Sequence, residues 1–229
     1  MKSFSHEWEE IHSTRGWGGY PSEHVIRFVA RNFYNKDRKK VRILDFGCGG
    51  GAHTWYLARE GFDVYAFDGS VAAVKNTKDK LEREGLKADL RVMDGAEIDY
   101  ENDFFDAVID NVTIYANTYK AIELMYKRCW EILKCGGKFL TSCITPQTDG
   151  YGTGERIDEY TFRNPTEGCV KGEGIIHFIT EEELRTCLEK TGFENIVIDR
   201  VFYTDNGMKI EMLIAKAEKY SLSDKKVRM

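Results

Sequence analysis

The chain has 229 residues, of which 33 are basic and 38 acidic, for a formal charge of −5. With 42% hydrophobic and 13% aromatic content it is too apolar for a disordered chain, and long enough to bury one large core. The acidic balance speaks against general nucleic-acid binding, which needs phosphate neutralisation, and no run nears the roughly 20 apolar residues of a membrane span.

The first ten residues lack the apolar stretch of a secretory signal, so the expected location is the cytoplasm, with no membrane partner. Cysteines stand at 48, 129, 135, 143, 169 and 187 without a Cys-x-x-Cys, and read as reduced small apolar residues rather than zinc ligands. Residues 1–40 are expected to form an N-terminal helical cover holding Trp8, Arg15, Trp17, Tyr20 and Pro21, which either lies over a ligand or packs its aromatics on the sheet edge. Its stretch 27–42 sets seven basic residues against Asp37 alone, which suits a solvated helix end or a phosphate contact.

From residue 41 short apolar runs alternate with helical patterns. Strands are expected at 41–46, 64–67, 90–93, 104–109 and 138–143. A helix at 52–60 stops at Gly61, and Ser70 caps a second helix with Val71, Val74 and Leu81 inward. Ala121, Ile122, Met125, Cys129, Ile132 and Leu133 recur at helical spacing before Gly136-Gly137. Thr180 and Glu183 form a capping box for a helix closed by Gly192. Strands at 196–203 and 210–215 flank the hairpin signal Asn206-Gly207. The fold class is therefore α/β, a doubly wound Rossmann-like sheet of seven strands ending in an antiparallel hairpin, with helices on both faces. The main domain spans 41–217 and a tail 218–229. Residues 144–179 are too long for an idle connection and read as an ordered substrate-side insertion.

The stretch Asp45-Phe46-Gly47-Cys48-Gly49-Gly50-Gly51-Ala52 lets backbone amides approach a ligand where a strand becomes a helix. Gly47, Gly49 and Ala52 also satisfy the dinucleotide pattern G-x-G-x-x-G/A, and Asp68 suits ribose hydroxyls in either reading. Asp45, before the first glycine, favours a cationic ligand over a pyrophosphate.

The sequence resembles the class I S-adenosylmethionine-dependent methyltransferases over about residues 41–217, the small-molecule type in particular. The resemblance implies S-adenosyl-L-methionine as cofactor. Asp45, Gly47, Cys48, Gly49 and Gly51 would line its methionine part, and Asp68, Gly69 and Ser70 its ribose. Asp94, Gly95 and Ala96 would meet the adenine, Asp110 and Asn111 the methyl group, and Tyr20 would cover the sulfonium. Asp110-Asn111-Val112-Thr113 lacks the prolines of nucleobase and amide N-methyltransferases, and Cys143-Ile144-Thr145 lacks the acids of metal-assisted members, so no metal is expected. The implied activity is methyl transfer to a small polar acceptor, by analogy O-methylation of a sugar, glycoconjugate or natural-product intermediate. His177, at the end of the insertion, is the candidate general base, or else a histidine hydrogen-bonded at a helix entry. His12 and His24 flank the aromatic cover, and His53 follows the glycine loop. The alternatives are a nicotinamide-dependent oxidoreductase and a non-catalytic cofactor-binding module. Nothing in the residues fixes the oligomeric state, a homodimer included.

Overall fold

The structure is a computed structural model that describes residues 3–15 and 18–220. It begins with two helices, α1 (His6–Thr14) and α2 (Glu23–Phe33). Alternation follows: β1 (Arg42–Phe46), α3 (Ala52–Arg59), β2 (Asp63–Asp68), α4 (Val71–Glu82), β3 (Asp89–Val92), β4 (Phe105–Asn111), α5 (Tyr119–Ile132) and β5 (Leu133–Ile144). Three short strands, β6 (Glu155–Arg156), β7 (Thr161–Arg163) and β8 (Ile175–His177), precede α6 (Glu181–Thr191) and the hairpin β9 (Phe193–Asp205) and β10 (Met208–Lys219). Trp17 of the expected cover and residues 221–229 of the expected tail lie outside the described residues.

Seven strands make one sheet in the order β3-β2-β1-β4-β5-β10-β9, parallel except for the hairpin. The parallel strands are apolar throughout because both faces are covered. One face packs Phe105, Tyr126, Phe139, Leu184 and Leu213 together, and the other Phe28, Phe33, Ile43, Leu57 and Ile109. Each such side chain contributes about 1.5–3 kcal/mol on burial. The order reverses between β1 and β4, and ligands of doubly wound sheets bind beyond the carboxyl ends of the strands at such a point.

Ser70 caps α4 as expected, its Oγ accepting the Ala73 amide at 3.0 Å. The helix faces inward through Ala73, Thr77 and Leu81, however, leaving Val71 62% exposed. The cap fixes the rotation of the first turn, and the spacing of four then selects those three positions. Strand β5 starts at Leu133, immediately after α5, rather than after the glycines. Gly136 takes φ +76° inside it, and the pairing with β4 slips there, from Phe105–Leu133 to Ala107–Lys138. At the far end β10 runs past the expected boundary to Lys219, whose ammonium bonds Asp103 at 2.8 Å and stands over the Trp130 ring. Asn206 and Gly207 both have positive φ, 47° and 84°, the geometry of the tight hairpin turn.

The 144–179 insertion folds as a small antiparallel sheet, β6-β7-β8, anchored by Phe162, Val170 and Ile176 in the main core. It lies against the N-terminal segment, where a Cβ on Gly174 would stand 2.9 Å from Ser5 Oγ. Burial pushes the nearby Glu173 carboxyl up to about 7, with Arg15 opposing the shift.

Candidate active site

A cavity of about 1010 Å³ opens at the carboxyl ends of β1, β2 and β4 and extends between α2 and the hairpin. It stands at the upper end of the 300–1,000 Å³ usual for ligand sites, enough for a cofactor and an acceptor side by side.

At one end lies the glycine loop. Gly47 and Gly49 have φ of +71° and +49°, and a Cβ on Gly47 would run into Thr113 at 2.2 Å. Gly51 does not line the cavity. Its φ of +76° starts α3, and a Cβ there would meet Thr77 at 2.7 Å. Thr77 Oγ1 donates to the Gly49 carbonyl at 3.0 Å, so α4 holds the loop from behind.

Asp68 ends β2 and reaches the cavity. Its Oδ2 accepts the Gly49 amide and its Oδ1 the Ser70 amide, both at 2.9 Å. An ionised carboxylate has about four acceptor sites, so two remain for a diol. Burial pushes the Asp68 carboxyl up, opposed by those amides and by His12. His12 lines the same wall, stacked on Trp8 at 6.0 Å, and burial pushes its imidazole down.

Several expected contacts have other duties. The Asp45 carboxyl is buried behind the loop, where Thr54 Oγ1 donates to it at 2.5 Å, and burial raises it to about 6. It does not face the cavity, and neither does Ser70, which is consumed as a helix cap. Asp94 is taken up by the N-terminal segment. Its oxygens accept Ser3 N at 2.7 Å, Phe4 N at 2.8 Å, Ser3 Oγ at 2.5 Å and Ala96 N at 2.9 Å. Burial opposes ionisation, yet these donors hold Asp94 below the usual carboxylate range. Of that turn Gly95 lines the cavity and Ala96 does not. The anchored segment lays Phe4 over Gly69, where a Cβ would fall 2.1 Å from the ring. Phe4 is thus an aromatic wall missed in the sequence, and Ser3 beside Asp94 carried no recognisable signal. Tyr20 also lines the cavity, 84% exposed, with its ring edge-on to Trp55.

At the middle of the cavity β4 ends in Asp110-Asn111-Val112. Asp110 is buried, and burial raises it to about 7. Its Oδ2 accepts Thr141 Oγ1 at 2.5 Å, and its Oδ1 the amides of Thr113 and Ile114 at 3.1 Å. That grip forces Val112 to φ +59°, a strained conformation for a β-branched residue. The turn presents Asn111 and Val112 to the cavity.

Asn111 Oδ1 lies 2.6 Å from His24 Nε2 and accepts Ser142 Oγ at 3.1 Å. With Nε2–H donated to Asn111, the lone pair of the neutral imidazole is on Nδ1. Burial pushes His24 below the usual imidazole range, opposed by the Asn111 bond. His53 fixes the start of the same helix, accepting the Ser22 amide at 3.2 Å, and burial lowers it to about 4. His24 stands one residue into α2, and its pairing with β4 is a contact between segments 87 positions apart.

His177, the expected base, is not at the cavity. It is 2% exposed, with Nδ1 2.7 Å from Thr161 Oγ1 and Nε2 3.1 Å from Glu183. The Glu183 carboxylate is thereby diverted from the second half of the capping box, of which only the Thr180 Oγ1 bond to the Glu183 amide is made, at 3.2 Å. No residue of 144–179 lines the cavity. Its end away from the glycine loop is built instead by α2 and by one face of the hairpin, including Val201, Met212, Ile214 and Lys216.

The order of the sheet, the glycine loop after β1 and the acid ending β2 define the class: the chain has the fold of the class I S-adenosylmethionine-dependent methyltransferases. Residues 43–137 match the family model described as a methyltransferase domain. Among curated proteins it is 28% identical over 158 residues to a ubiquinone biosynthesis O-methyltransferase of Roseobacter denitrificans, covering 69% of this chain and 62% of that one. A protein of the same name from Dinoroseobacter shibae is 26% identical over 210 residues, covering 89% and 78%. The chain thus spans somewhat over three fifths of the length of the first of these relatives. A solved S-adenosylmethionine-dependent methyltransferase from Methanosarcina mazei superposes with a TM-score of 0.70 at 22% identity, covering 88% of this chain and 99% of that one. Among the described residues no helix is long and apolar enough to cross a membrane.

Proposed function

We propose that the protein transfers the methyl group of S-adenosylmethionine to a hydroxyl oxygen of a small molecule, with His24 as the base. One observation carries this reading. A partly buried imidazole, held by Asn111 at the end of β4, stands in the cavity that also contains the glycine loop and Asp68.

The cofactor half fits the residues present. Asp68 offers its two remaining acceptor sites to the ribose hydroxyls, the amides after Gly47 approach the amino-acid part, and Phe4 and Gly95 flank the base. The bound cofactor supplies an activated methyl carbon. His24 accepts the hydroxyl proton on Nδ1 as the oxygen attacks in line, while Asn111 Oδ1 stabilises the imidazolium. Holding the oxygen about 3–3.5 Å from the methyl carbon and excluding water supply the rest of the acceleration. Phe4, Trp8 and Tyr20 form the cover on the cofactor side.

The O-methyltransferase names of the relatives support an oxygen acceptor. The sugar or glycoconjugate acceptor was expected by analogy alone, and the polar insertion expected to wall its pocket stays away from the cavity. We therefore keep the small hydroxylated acceptor and drop the sugar.

The test is calorimetry with S-adenosylhomocysteine, followed by transfer of labelled methyl to a panel of phenolic and aliphatic hydroxyls. Binding together with transfer that is lost in His24→Gln supports the reading. Binding with full transfer by His24→Gln removes the base. Absence of cofactor binding removes the whole assignment.

A further inference from the structure

The acceptor half of the cavity has a definite chemical character. Its floor is the face of the hairpin on which residues alternate outward. Val201 pairs with Met212 and Asp199 with Ile214 across the ladder, and Tyr203 and Lys216 extend the row. Val201 and Tyr203 remain 39% and 43% exposed, so an apolar stripe lies open that no other element among the described residues covers. Opposite runs α2, whose His24, Arg27 and Arg31 line the cavity at spacings of three and four.

The charges along this groove are mostly matched within the protein. Arg27 pairs with Glu23 at 2.5 Å, Lys216 with Asp199, and Arg200 with Glu211 and Glu181 at 3.2 and 3.0 Å. Among the described residues Arg31 has no carboxylate at ion-pair distance, although it faces the same space. One unmatched cation thus stands at the far end of an apolar groove. Seven residues separate it from His24, about 10 Å along the helix axis at 1.5 Å per residue.

Resting on the methyl-transfer reading above, we infer that the acceptor is a hydroxylated carboxylic acid with an apolar body, its carboxylate bound by Arg31. The hydroxyl sits at His24, the body lies on Val201, Met212 and Ile214, and the guanidinium fork grips both carboxylate oxygens. A single unmatched positive charge suits a monoanion better than a phosphate dianion. An uncharged sugar would leave the cation unused and set hydroxyls against an apolar floor.

The probes are 3,4-dihydroxycinnamate and its methyl ester, which share hydroxyls and apolar body and differ in the charge at the far end. Calorimetry is run on the full chain with and without S-adenosylhomocysteine, and methyl transfer is followed in parallel. The acid should bind at least tenfold tighter than the ester. Arg31→Ala should bring the ratio near one without changing S-adenosylhomocysteine affinity, and Arg31→Lys should restore part of it. Arg31 is exposed and outside the core, so both variants should melt with the wild type. Equal binding of acid and ester, no binding of the acid, or a ratio unmoved by Arg31→Ala overturns the inference. The cofactor arm separates the two readings. A preserved acid preference with no nucleoside binding would sink the methyl transfer alone, and cofactor binding without acid preference would sink the anionic acceptor alone.

Discussion

Replacing Asp110 with asparagine separates the charge of this buried group from its hydrogen bonds. Burial raises the Asp110 carboxyl to about 7, against the bonds from Thr141, Ile114 and Thr113, whereas an unfolded aspartate titrates at about 3.9. Between those values the folded chain keeps a proton that the unfolded chain has released. Stability contributed at this site is therefore full below the unfolded value and falls as pH rises, by about 1.4 kcal/mol per unit. Over roughly three units the loss is on the order of 4 kcal/mol. Asparagine cannot ionise. Its Oδ1 keeps the amides of Thr113 and Ile114, and its Nδ2 can donate to Thr141, whose hydroxyl then turns to the Tyr126 oxygen 3.2 Å away. Near pH 4 the variant should lie within about 1 kcal/mol of wild type. Near pH 7.5 it should be the more stable protein. Urea melts taken across that range give the difference directly. A gap between the two chains that stays constant with pH refutes the reasoning.

Asp68→Ala removes the acceptor of two loop amides and of the ribose hydroxyls proposed above, so calorimetry should show S-adenosylhomocysteine affinity falling at least about tenfold. His24→Ala should lower kcat by about 10²-fold or more with cofactor affinity kept. Because burial depresses His24, the wild-type rate should hold level as pH falls to about 6.5 and drop only below it, which a pH–rate profile reads. His177→Ala strands Thr161 and Glu183 and should cost about 1–3 kcal/mol in urea melts, leaving methyl transfer to the same probe within twofold of wild type. Asp94→Ala should speed hydrogen exchange at the Ser3 and Phe4 amides, and unchanged protection there would show that the segment is held by packing alone.

The sheet was legible because its signals are local. Continuous apolar runs, the Ser70 cap and Asn206-Gly207 each act within a few residues, and each element appears where they stand. The cofactor half was legible only in part, since motif position does not say which way a side chain turns. Asp68 faces the cavity, while Asp45, two residues before the glycines, turns to Thr54 in the interior. Asp94 was read as a ligand contact because nothing local shows that Ser3 and Phe4 fill its oxygens from 91 and 90 residues away. The placement of 144–179 beside the cavity was misread for the same reason. The insertion is polar and long, but its sheet packs through Phe162 and Ile176 into the main core and sends no residue to the cavity. His24 and Arg31 looked like part of a basic helix. They acquire chemical meaning only once α2 is laid opposite the hairpin and beside the end of β4.

The contact between Gly51 and Thr77 bears on how such a chain can change over generations. Two separate obstacles guard position 51: a left-handed backbone that penalises any side chain, and a threonine whose methyl and hydroxyl fill the space a Cβ would need. A smaller residue at 77 removes only the side-chain part of the second obstacle, since the Cα of residue 77 still stands 2.9 Å from a Cβ at 51. It also takes away the hydroxyl that braces Gly49. No single step through 77 therefore opens a path at 51, and a substitution in a helix remote in sequence would be felt first as a slackened glycine loop. Drift at these two positions is coupled and nearly closed, whereas Val71, on the exposed side of the same helix, is at liberty to vary.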